Sequence, residues 1–293
     1  MNPFWFAFFI SGVLAYPTLL VLRKLKSGSM ISQFAPEAHQ QKEGTPNMGG
    51  LFVVVAIALV LILFPVRDSQ LLLGILFGFF IIGFLDDFVI PRTTGKRGLG
   101  WIPKLFLEIG VSCLVFLVHP FNFESSAIAF LILASANAVN FADGLDALAT
   151  CLLGIALLPF LIFFGVENVT FGVLILGIIG ALIPFLFLNS PPARLFMGDT
   201  GALPLGAIFG YVFASSPWQI EVWPWFAALI IILELALVPI QLAAVKTLKR
   251  RVFPATPIHH AFEVRGWPES RVFWLFVLAQ IIFSVFAISL IEK

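Results

Sequence analysis

The chain has 293 residues, of which 60% are hydrophobic and only 11% are charged, and its formal net charge at pH 7 is +1. About 25% of the residues of a typical soluble domain are charged, so this composition excludes a soluble domain and indicates an integral membrane protein. We expect a lipid bilayer as its environment and no nucleic-acid partner.

Ten apolar stretches are long enough to cross the roughly 30 Å hydrocarbon core of a bilayer as helices. They lie at 4–22, 48–65, 70–90, 101–119, 124–139, 145–165, 168–188, 200–216, 222–245 and 272–291. We expect the first stretch to be retained, because basic residues follow it, whereas a cleaved signal peptide carries them in front. No repeat or low-complexity tract divides the chain. The sequence therefore predicts an all-α integral membrane protein, a single domain over 1–293 with about ten transmembrane helices.

The positive charges predict how this bundle lies in the membrane, because Lys and Arg collect in cytoplasmic loops. Fifteen of the 17 Lys and Arg residues fall at or beside alternate connections: four in 23–42, four in 92–104, Arg194, and six in 246–271. Both termini are therefore predicted to be external. The same topology places an active site at the cytoplasmic face, where it collects Asp86, Asp87, Asp143, Asp146, Asp199, His259 and His260.

The segment GFLDDFV, at 83–89, ends an apolar stretch with two adjacent carboxylates, Asp86 and Asp87. An aspartate at the centre of a membrane helix costs roughly 2.5 to 3.5 kcal/mol on insertion scales, so its presence needs a reason. One reason is Mg²⁺, which prefers oxygen ligands and is typically held by one or two carboxylates together with substrate phosphates. The alternative is that two hydrated aspartates at the interface end the helix.

The segment NAVNFADGLDALA, at 137–149, places Asp143 and Asp146 three residues apart and puts Asn140 on the preceding helix. If the next helix begins at Leu145, both carboxylates lie near its N-terminal end, where backbone N–H groups and the helix dipole favour anions. Asp143 could instead cap a helix, and capping does not exclude a functional role.

The segment NSPPARLFMGDTGALPLG, at 189–206, has a similar arrangement. An apolar stretch ends at Asn189, two prolines follow, and Asp199 precedes the next stretch. Asp199 could be an N-cap. Phe196 could anchor the loop at the membrane interface or offer a surface on which a flat base stacks.

The last basic loop carries two adjacent histidines, His259 and His260, beside Glu263. Four basic residues between 246 and 251 precede them. Such a cluster beside a membrane usually sets orientation or binds anionic lipid. A zinc site is the weaker hypothesis, because no thiolate or spaced histidine completes a tetrahedral set.

Five segments carry a resemblance to a known family, in the order KEGTPNMGG, GFLDDF, NAVNFADGLDALA, NSPPARLFMGDTGALPLG and TPIHHAFEVRGWPE. Together they resemble the polyprenyl-phosphate N-acetylhexosamine-1-phosphate transferase superfamily, and within it the phospho-N-acetylmuramoyl-pentapeptide transferase family. The resemblance covers nearly the whole chain from about residue 36.

The resemblance implies a reaction and its partners. Members of the family have ten transmembrane helices and use Mg²⁺ to transfer phospho-MurNAc-pentapeptide from UDP-MurNAc-pentapeptide to undecaprenyl phosphate. The products are lipid I and UMP, and the reaction serves peptidoglycan biosynthesis. The implied location is the bacterial plasma membrane, which the chain crosses several times. A homodimer is compatible with the resemblance.

The resemblance also implies site residues. Asp199 would bind Mg²⁺, Asp86 would be the base for the lipid phosphate with Asp87 beside it, and Phe196 would stack on uracil. The implied catalytic residues are Asp86, Asp87, Asp199, His259 and His260. The other implied substrate-binding residues are Lys42, Thr45, Lys104, Asn140, Asp143, Gly144, Leu145, Asp146, Asn189 and Gln241. Direct attack of the lipid phosphate is favoured, and a route through an aspartyl-phosphate stays open.

One departure and two alternatives accompany this resemblance. The family's usual run of three histidines is interrupted here by Ala261. A related branch transfers GlcNAc-1-phosphate, but GTPNMGG and PIHHAFEVRGWPE favour the muramoyl branch. From another class, the intramembrane Glu108 and Glu234 could belong to a proton-coupled transporter. A transporter predicts a midplane site and often inverted repeats, and neither is evident in the sequence.

Overall fold

The computed structural model describes residues 2–25, 27–28, 42–66, 68–165 and 169–291. Within these ranges every regular segment is a helix and no strand is present. An isolated β-bridge joins Gly28 to Pro46. The predicted all-α class is confirmed for the described part of the chain.

The helices follow the predicted apolar stretches. They are α1 Pro3–Lys24, α2 Gly50–Leu63, α3 Ser69–Phe84, α4 Ile90–Thr94, α5 Trp101–Ser112, α6 Phe123–Ala142, α7 Leu148–Phe164, α8 Val169–Asn189, α9 Asp199–Ala214, α10 Trp223–Ala227, α11 Leu229–Leu248, α12 Ile258–Glu263 and α13 Glu269–Leu290. A π-helical turn, Leu85–Val89, joins α3 to α4, and a 3₁₀ turn, Cys113–Leu117, extends α5.

Within the described ranges, six segments are long and apolar enough to cross a membrane: α1, Ser69–Thr94, α6, Phe171–Asn189, α11 and α13. Helices α2 and α7 are apolar but shorter. Large apolar side chains such as Phe121 and Phe187 face outward, as they do on a surface covered by lipid. The chain is therefore a multi-pass helical membrane protein. Met1 and Lys293, the termini that the charge pattern places outside, lie beyond the described residues.

Helix α9 is the centre of the bundle, and every residue from Thr200 to Phe213 is buried. Two glycines let α9 approach α6 closely. A Cβ added to Gly206 would lie 2.4 Å from the carbonyl oxygen of Ser135, and a Cβ added to Gly210 would lie 2.5 Å from the carbonyl oxygen of Leu131. Membrane helices associate through such small-residue contacts, because lipid tails are as apolar as the helices and close packing must supply the attraction. The N-terminal residue of α9, Asp199, is thereby fixed at one end of the bundle.

The end of α3 packs against the start of α9. A Cβ added to Gly83 would lie 2.3 Å from the backbone of Asp199 and 2.4 Å from that of Thr200. Only glycine permits this approach, and the π-helical turn begins two residues later. The contact brings the carboxylates of the turn to the first turn of α9.

Two predicted boundaries are wrong. Helix α7 begins at Leu148 and not at Leu145, because Ala147 has a left-handed φ of 65° and interrupts the chain. The stretch predicted at 222–245 is divided at Ala228 into α10 and α11.

Candidate active site

Asp87 is held by the first turn of α9. Its Oδ2 accepts hydrogen bonds from the Thr200 backbone N–H at 2.8 Å and from the Thr200 hydroxyl at 2.7 Å. Its Oδ1 accepts one from Asn47 Nδ2 at 3.0 Å. Charge-assisted bonds of this kind are strong, and a helix N-terminus favours an anion. Asp87 is therefore fixed in orientation through both of its carboxylate oxygens.

Asp86 lies on the adjacent position of the π-helical turn. Its Oδ1 accepts the Leu99 backbone N–H at 2.7 Å, and a Cβ added to Gly98 would lie 2.7 Å from Oδ2. Consecutive residues of an α-helix point about 100° apart, and a widened π turn changes that relation. Here both carboxylates of the turn reach the same space beside α9.

Asp199 completes this acidic group. It accepts hydrogen bonds from Lys104 Nζ and, at 2.6 Å, from Asn140 Nδ2. One ligand oxygen from each of Asp86, Asp87 and Asp199 lies within 4.8 Å of the others. Asp199 is the first residue of α9 and its N-cap is Gly198, so the N-cap alternative for Asp199 is wrong.

The acidic group fits a divalent cation on the chemistry of its donors. Three carboxylates of like charge repel one another at this separation, and the ammonium of Lys104 offsets only one of them. Carboxylate oxygens are the ligands that hard cations such as Mg²⁺ and Ca²⁺ prefer. The three aspartates could therefore hold a metal ion.

Asp143 lies between α6 and α7, where it is the C-cap of α6. Burial raises the pKa of this carboxyl well above its usual value, and the charges of Asp199 and Asp87 raise it further. A backbone hydrogen bond from Gly198 acts in the opposite direction. Desolvation disfavours the charged form, and nearby carboxylates do the same. Asp143 therefore holds a proton more readily than an exposed aspartate.

A cavity of about 290 Å³ opens beside the acidic group. Ten predicted site residues line it: Lys42, Asp87, Asn140, Asp143, Gly144, Leu145, Asp146, Asn189, Phe196 and Asp199. Carboxylates and amides form much of the wall, and Phe196 offers an aromatic ring. The cavity thus joins the acidic group to a wall with both polar and apolar parts, as small-molecule sites generally do.

Asp146 anchors another part of the cavity wall. It is 4% exposed, and its carboxylate accepts from Lys42 Nζ at 2.7 Å and from the Ala193 backbone N–H at 2.9 Å. Lys42 also donates to Glu269 at 2.6 Å, and Glu269 accepts the Asp146 backbone N–H at 3.1 Å. A buried carboxylate is tolerated when its charge is paired in this way.

Asn189 braces the loops that form the cavity wall. It is 2% exposed, accepts the Ala147 backbone N–H at 3.0 Å, and donates to the Leu195 carbonyl at 3.0 Å. These bonds join the loop before α7 to the loop before α9. Asn189 therefore supports Phe196, which follows Leu195, as well as the Gly144–Asp146 segment.

The two histidines lie behind the cavity wall at Gly144. His259 is fully buried, and its Nδ1 lies 3.0 Å from Glu234 Oε2. A Cβ added to Gly144 would lie 2.3 Å from His259 Nε2 and 3.3 Å from His260 Nε2. The contact with Glu234 fixes the orientation of the His259 ring and directs its Nε2 toward Gly144.

Comparison with known proteins decides the family. Residues 69–216 match Glycosyl transferase family 4. A phospho-N-acetylmuramoyl-pentapeptide-transferase of Oceanobacillus iheyensis is 32% identical, with 96% of this chain and 94% of that protein covered. Proteins of the same name from Staphylococcus aureus and Staphylococcus haemolyticus are 33% and 32% identical, covering 92% and 94% of this chain and the same shares of those proteins.

The chain belongs to the phospho-N-acetylmuramoyl-pentapeptide transferase family. The family resemblance predicted from the five segments is confirmed, and the chain is a transferase by family.

Two residues implied by the family motifs lie apart from the cavity. Gln241 accepts the backbone N–H groups of Val252 and Phe253, each at 3.0 Å, and donates to the Phe253 carbonyl, so it fixes the loop after α11. It is not among the residues that line the cavity near Phe196. Thr45 lines a second cavity, together with its neighbour Pro46.

Four residues that contact the site residues were not predicted as members of the site. Asn47 and Thr200 orient Asp87, Glu269 pairs with Lys42, and Glu234 pairs with His259. Asn47 and Glu269 lie in two of the family segments, KEGTPNMGG and TPIHHAFEVRGWPE, and could have been singled out there. Glu234 carried a weaker signal, a lone carboxylate in an apolar stretch.

Proposed function

We propose that this chain transfers phospho-MurNAc-pentapeptide from UDP-MurNAc-pentapeptide to undecaprenyl phosphate, giving lipid I and UMP for peptidoglycan biosynthesis. The observation that carries the proposal is the junction of Asp86, Asp87 and Asp199 with a cavity walled by Asp146 and Phe196. The names of the relatives supply the substrate class. Mg²⁺ is the proposed metal, since it is commonly bound by carboxylates together with substrate phosphates.

In the proposed reaction, an oxygen of the lipid phosphate attacks the phosphorus attached to the sugar. The bond from that phosphorus to the bridging oxygen breaks, and UMP leaves. A metal held by Asp199, with Asp86 and Asp87, would supply charge neutralisation at the phosphates when bound. The residues of the chain would contribute mainly positioning, which phosphoryl transfer requires most.

The proposed residue roles follow the contacts. Asp86, fixed by the Leu99 N–H, is the proposed base toward the lipid phosphate. Lys104, bonded to Asp199, carries a positive charge beside the proposed phosphate site. Thr200 and Asn47 keep Asp87 in place.

The proposed nucleotide site is the rest of the cavity. Phe196 would stack on the uracil ring, with Leu145 and Asp146 beside it and Asn189 bracing the wall. His259 and His260 would act at the Gly144 edge of this site, toward nucleotide or phosphates. Ala261 stands where the family usually has a third histidine, and its side chain is buried. His259 and His260 keep their positions beside Gly144 without it.

We further propose ten membrane crossings with both termini external, in the bacterial plasma membrane. Support comes from the Lys and Arg distribution, which puts Lys42, Lys104 and Arg194 on the side of the aspartates. A water-soluble nucleotide and a lipid phosphate both reach such a site at the cytoplasmic face.

The test is UMP release by the purified protein with undecaprenyl phosphate and Mg²⁺, comparing UDP-MurNAc-pentapeptide with UDP-GlcNAc. Turnover of the muramoyl substrate alone, abolished by EDTA and restored by Mg²⁺, is expected. Turnover of UDP-GlcNAc alone would keep the chemistry and refute the substrate. A transporter gains no support from the two intramembrane glutamates, because Glu108 bonds Asn137 at 2.7 Å and Glu234 bonds His259.

A further inference from the structure

A second and larger cavity lies beside the proposed nucleotide site. Its volume is about 680 Å³, within the range of roughly 300 to 1,000 Å³ typical of ligand pockets. The wall residues that matter here are Arg23, Ser27, Glu43, Thr45 and Arg194. None of the roles proposed above uses this space, and we call it the basic cavity.

The basic cavity and the nucleotide cavity share their dividing wall. Ala193 lines the basic cavity, and its backbone N–H donates to Asp146 of the nucleotide cavity at 2.9 Å. Pro46 also lines the basic cavity, and its carbonyl accepts the backbone N–H of Phe196 at 2.9 Å. Single hydrogen bonds therefore connect the two linings, and a substrate seated beside Asp146 and Phe196 lies next to the basic cavity.

The charge of the basic cavity favours an anion. Arg23 lies in the last turn of α1, Arg194 lies in the loop before α9, and both side chains are exposed. Among the described residues neither guanidinium pairs with a carboxylate. Glu43 is the acidic side chain of the described wall, so two positive charges face one negative charge. Arginine binds carboxylates through two parallel hydrogen bonds, which gives it specificity for that group.

We propose that the basic cavity binds the peptide of the sugar-nucleotide substrate, with Arg23 and Arg194 recognising its C-terminal carboxylate. The inference rests on the proposed function and names the part of the substrate that this function leaves unplaced. A pentapeptide ends in a carboxylate and spans at most about 17 Å when extended. The Ser27 hydroxyl donates to the Leu22 carbonyl and can still accept a backbone N–H of the peptide, and Thr45 brings a second hydroxyl to the wall.

The same two arginines also suit two roles that involve no peptide. Basic residues at a membrane face orient the protein or attract anionic lipid head groups. Neither lipid binding nor membrane orientation depends on whether the substrate peptide ends in a carboxylate. The peptide proposal is therefore tested by changing the substrate before changing the protein.

The first experiment measures KM and kcat of the unaltered enzyme for UDP-MurNAc-pentapeptide and for the same compound with a C-terminal carboxamide. Loss of a charge-assisted hydrogen bond should raise KM by about 10-fold or more, with kcat nearly unchanged, because the contact is remote from the reacting phosphorus. Equal KM values for the two substrates would overturn the proposal. This comparison needs no variant that must fold.

The second experiment tests whether Arg23 and Arg194 bind that carboxylate. Arg23→Gln and Arg194→Gln should each raise KM for the pentapeptide substrate, and the carboxamide should then impose little further loss. The matched control is Arg250→Gln, an exposed arginine after α11 that does not line the basic cavity. An undiminished carboxamide effect in both cavity variants, or an equal KM increase in Arg250→Gln, would contradict the assignment.

Failure of the proposed function gives a different result. In that case the unaltered enzyme releases no UMP from UDP-MurNAc-pentapeptide, or releases it only from UDP-GlcNAc. An active enzyme that ignores the carboxamide refutes the peptide site alone. Arg23→Gln and Arg194→Gln could instead raise KM equally for both substrates and only in vesicles that contain phosphatidylglycerol. That result would refute the peptide site and show that the two arginines bind anionic lipid.

Discussion

Asp199 is the member of the acidic group that contacts both Lys104 and Asn140. Replacing it by Asn keeps the shape and the bond from Asn140 or Lys104 to one oxygen, but removes one of three carboxylates. We expect Asp199→Asn to lower UMP release by at least about 10²-fold, the loss typical of removing one electrostatic contact to a transition state. Saturating Mg²⁺ should not restore it.

The control for this prediction is Asp68→Asn. Asp68 accepts a hydrogen bond from Tyr211 at 2.8 Å and takes no part in the acidic group. It should keep near-normal turnover, and size-exclusion profiles of both variants should match the parent protein. Near-normal UMP release by Asp199→Asn would refute the proposed metal role.

Asp143 makes stability depend on pH. Its pKa is raised by burial and by Asp199, Asp87 and Asp146, so the folded protein binds the proton more tightly than the unfolded chain, whose aspartate titrates near pH 3.9. The contribution of this carboxyl is then full below the unfolded pKa and is lost as pH rises through the folded pKa. In EDTA, Asp143→Asn should therefore lose less thermal stability between about pH 5 and pH 8 than the parent protein.

The measurement for Asp143 is the unfolding midpoint in detergent at several pH values. EDTA is needed because a bound cation would offset the same repulsion. Parallel curves for the variant and the parent would show that Asp143 is ionised in the folded protein as well as in the unfolded chain across this range, which would contradict the raised pKa.

At the scale of elements, the contact between α9 and α6 depends on glycine. A Cβ at Gly206 would press on the backbone of α6, whereas one at Gly154 in α7 meets no atom within 4 Å. Gly206→Ala should lower the unfolding midpoint, because two helices must separate. Gly154→Ala should leave it unchanged or raise it, since alanine is favoured over glycine in a helix by roughly 1 kcal/mol.

Thermal unfolding of the two glycine variants in one detergent checks this contrast, and UMP release adds a second readout. Displacement of α9 by Gly206→Ala would also move Asp199, so its activity should fall with its stability. If Gly206→Ala has the same unfolding midpoint as Gly154→Ala, α6 can shift to accommodate the added Cβ and the close contact does not require glycine.

Hydropathy predicted the long helices well because a membrane helix must be apolar over its whole length. The predicted stretch 4–22 lies within α1, for example. The break at Ala228 was not predictable from hydropathy, because it lies within continuous apolar sequence. Asp86 and Asp87 mark the end of the preceding apolar stretch, but hydropathy does not predict that Leu85–Val89 widens into a π turn. Backbone conformation at Ala147 likewise depends on the bond to Asn189, a residue far along the chain.

The candidate site was predictable in part for a related reason. Carboxylates in apolar sequence are costly, so Asp86, Asp87 and Asp199 stood out before any geometry was known. Their partners did not, because an asparagine or threonine at a membrane face is unremarkable by itself. Lys42 and Glu269 are separated by 227 positions, and only the fold shows that they pair.

For the whole molecule, the polar groups divide between two ends of the bundle. Asp199 begins α9, and Tyr211 lies twelve positions later, about 18 Å along the helix, where it contacts Asp68. The proposed topology makes the Asp199 end cytoplasmic and the Asp68 end external. Loops at the two ends should therefore differ in their access to a reagent that cannot cross the membrane.

Single cysteines test this assignment in a background with Cys113 and Cys151 replaced by Ala. Gln219, between α9 and α10, and Lys96, between α4 and α5, are both exposed, so their labelling reports the membrane barrier and not burial. An impermeant maleimide should label Gln219→Cys in intact spheroplasts and Lys96→Cys only after permeabilisation. The reverse pattern would invert the topology and place the acidic group outside the cell, where a cytoplasmic nucleotide could not reach it. Retained UMP release by both variants would show that the labelled molecules are folded.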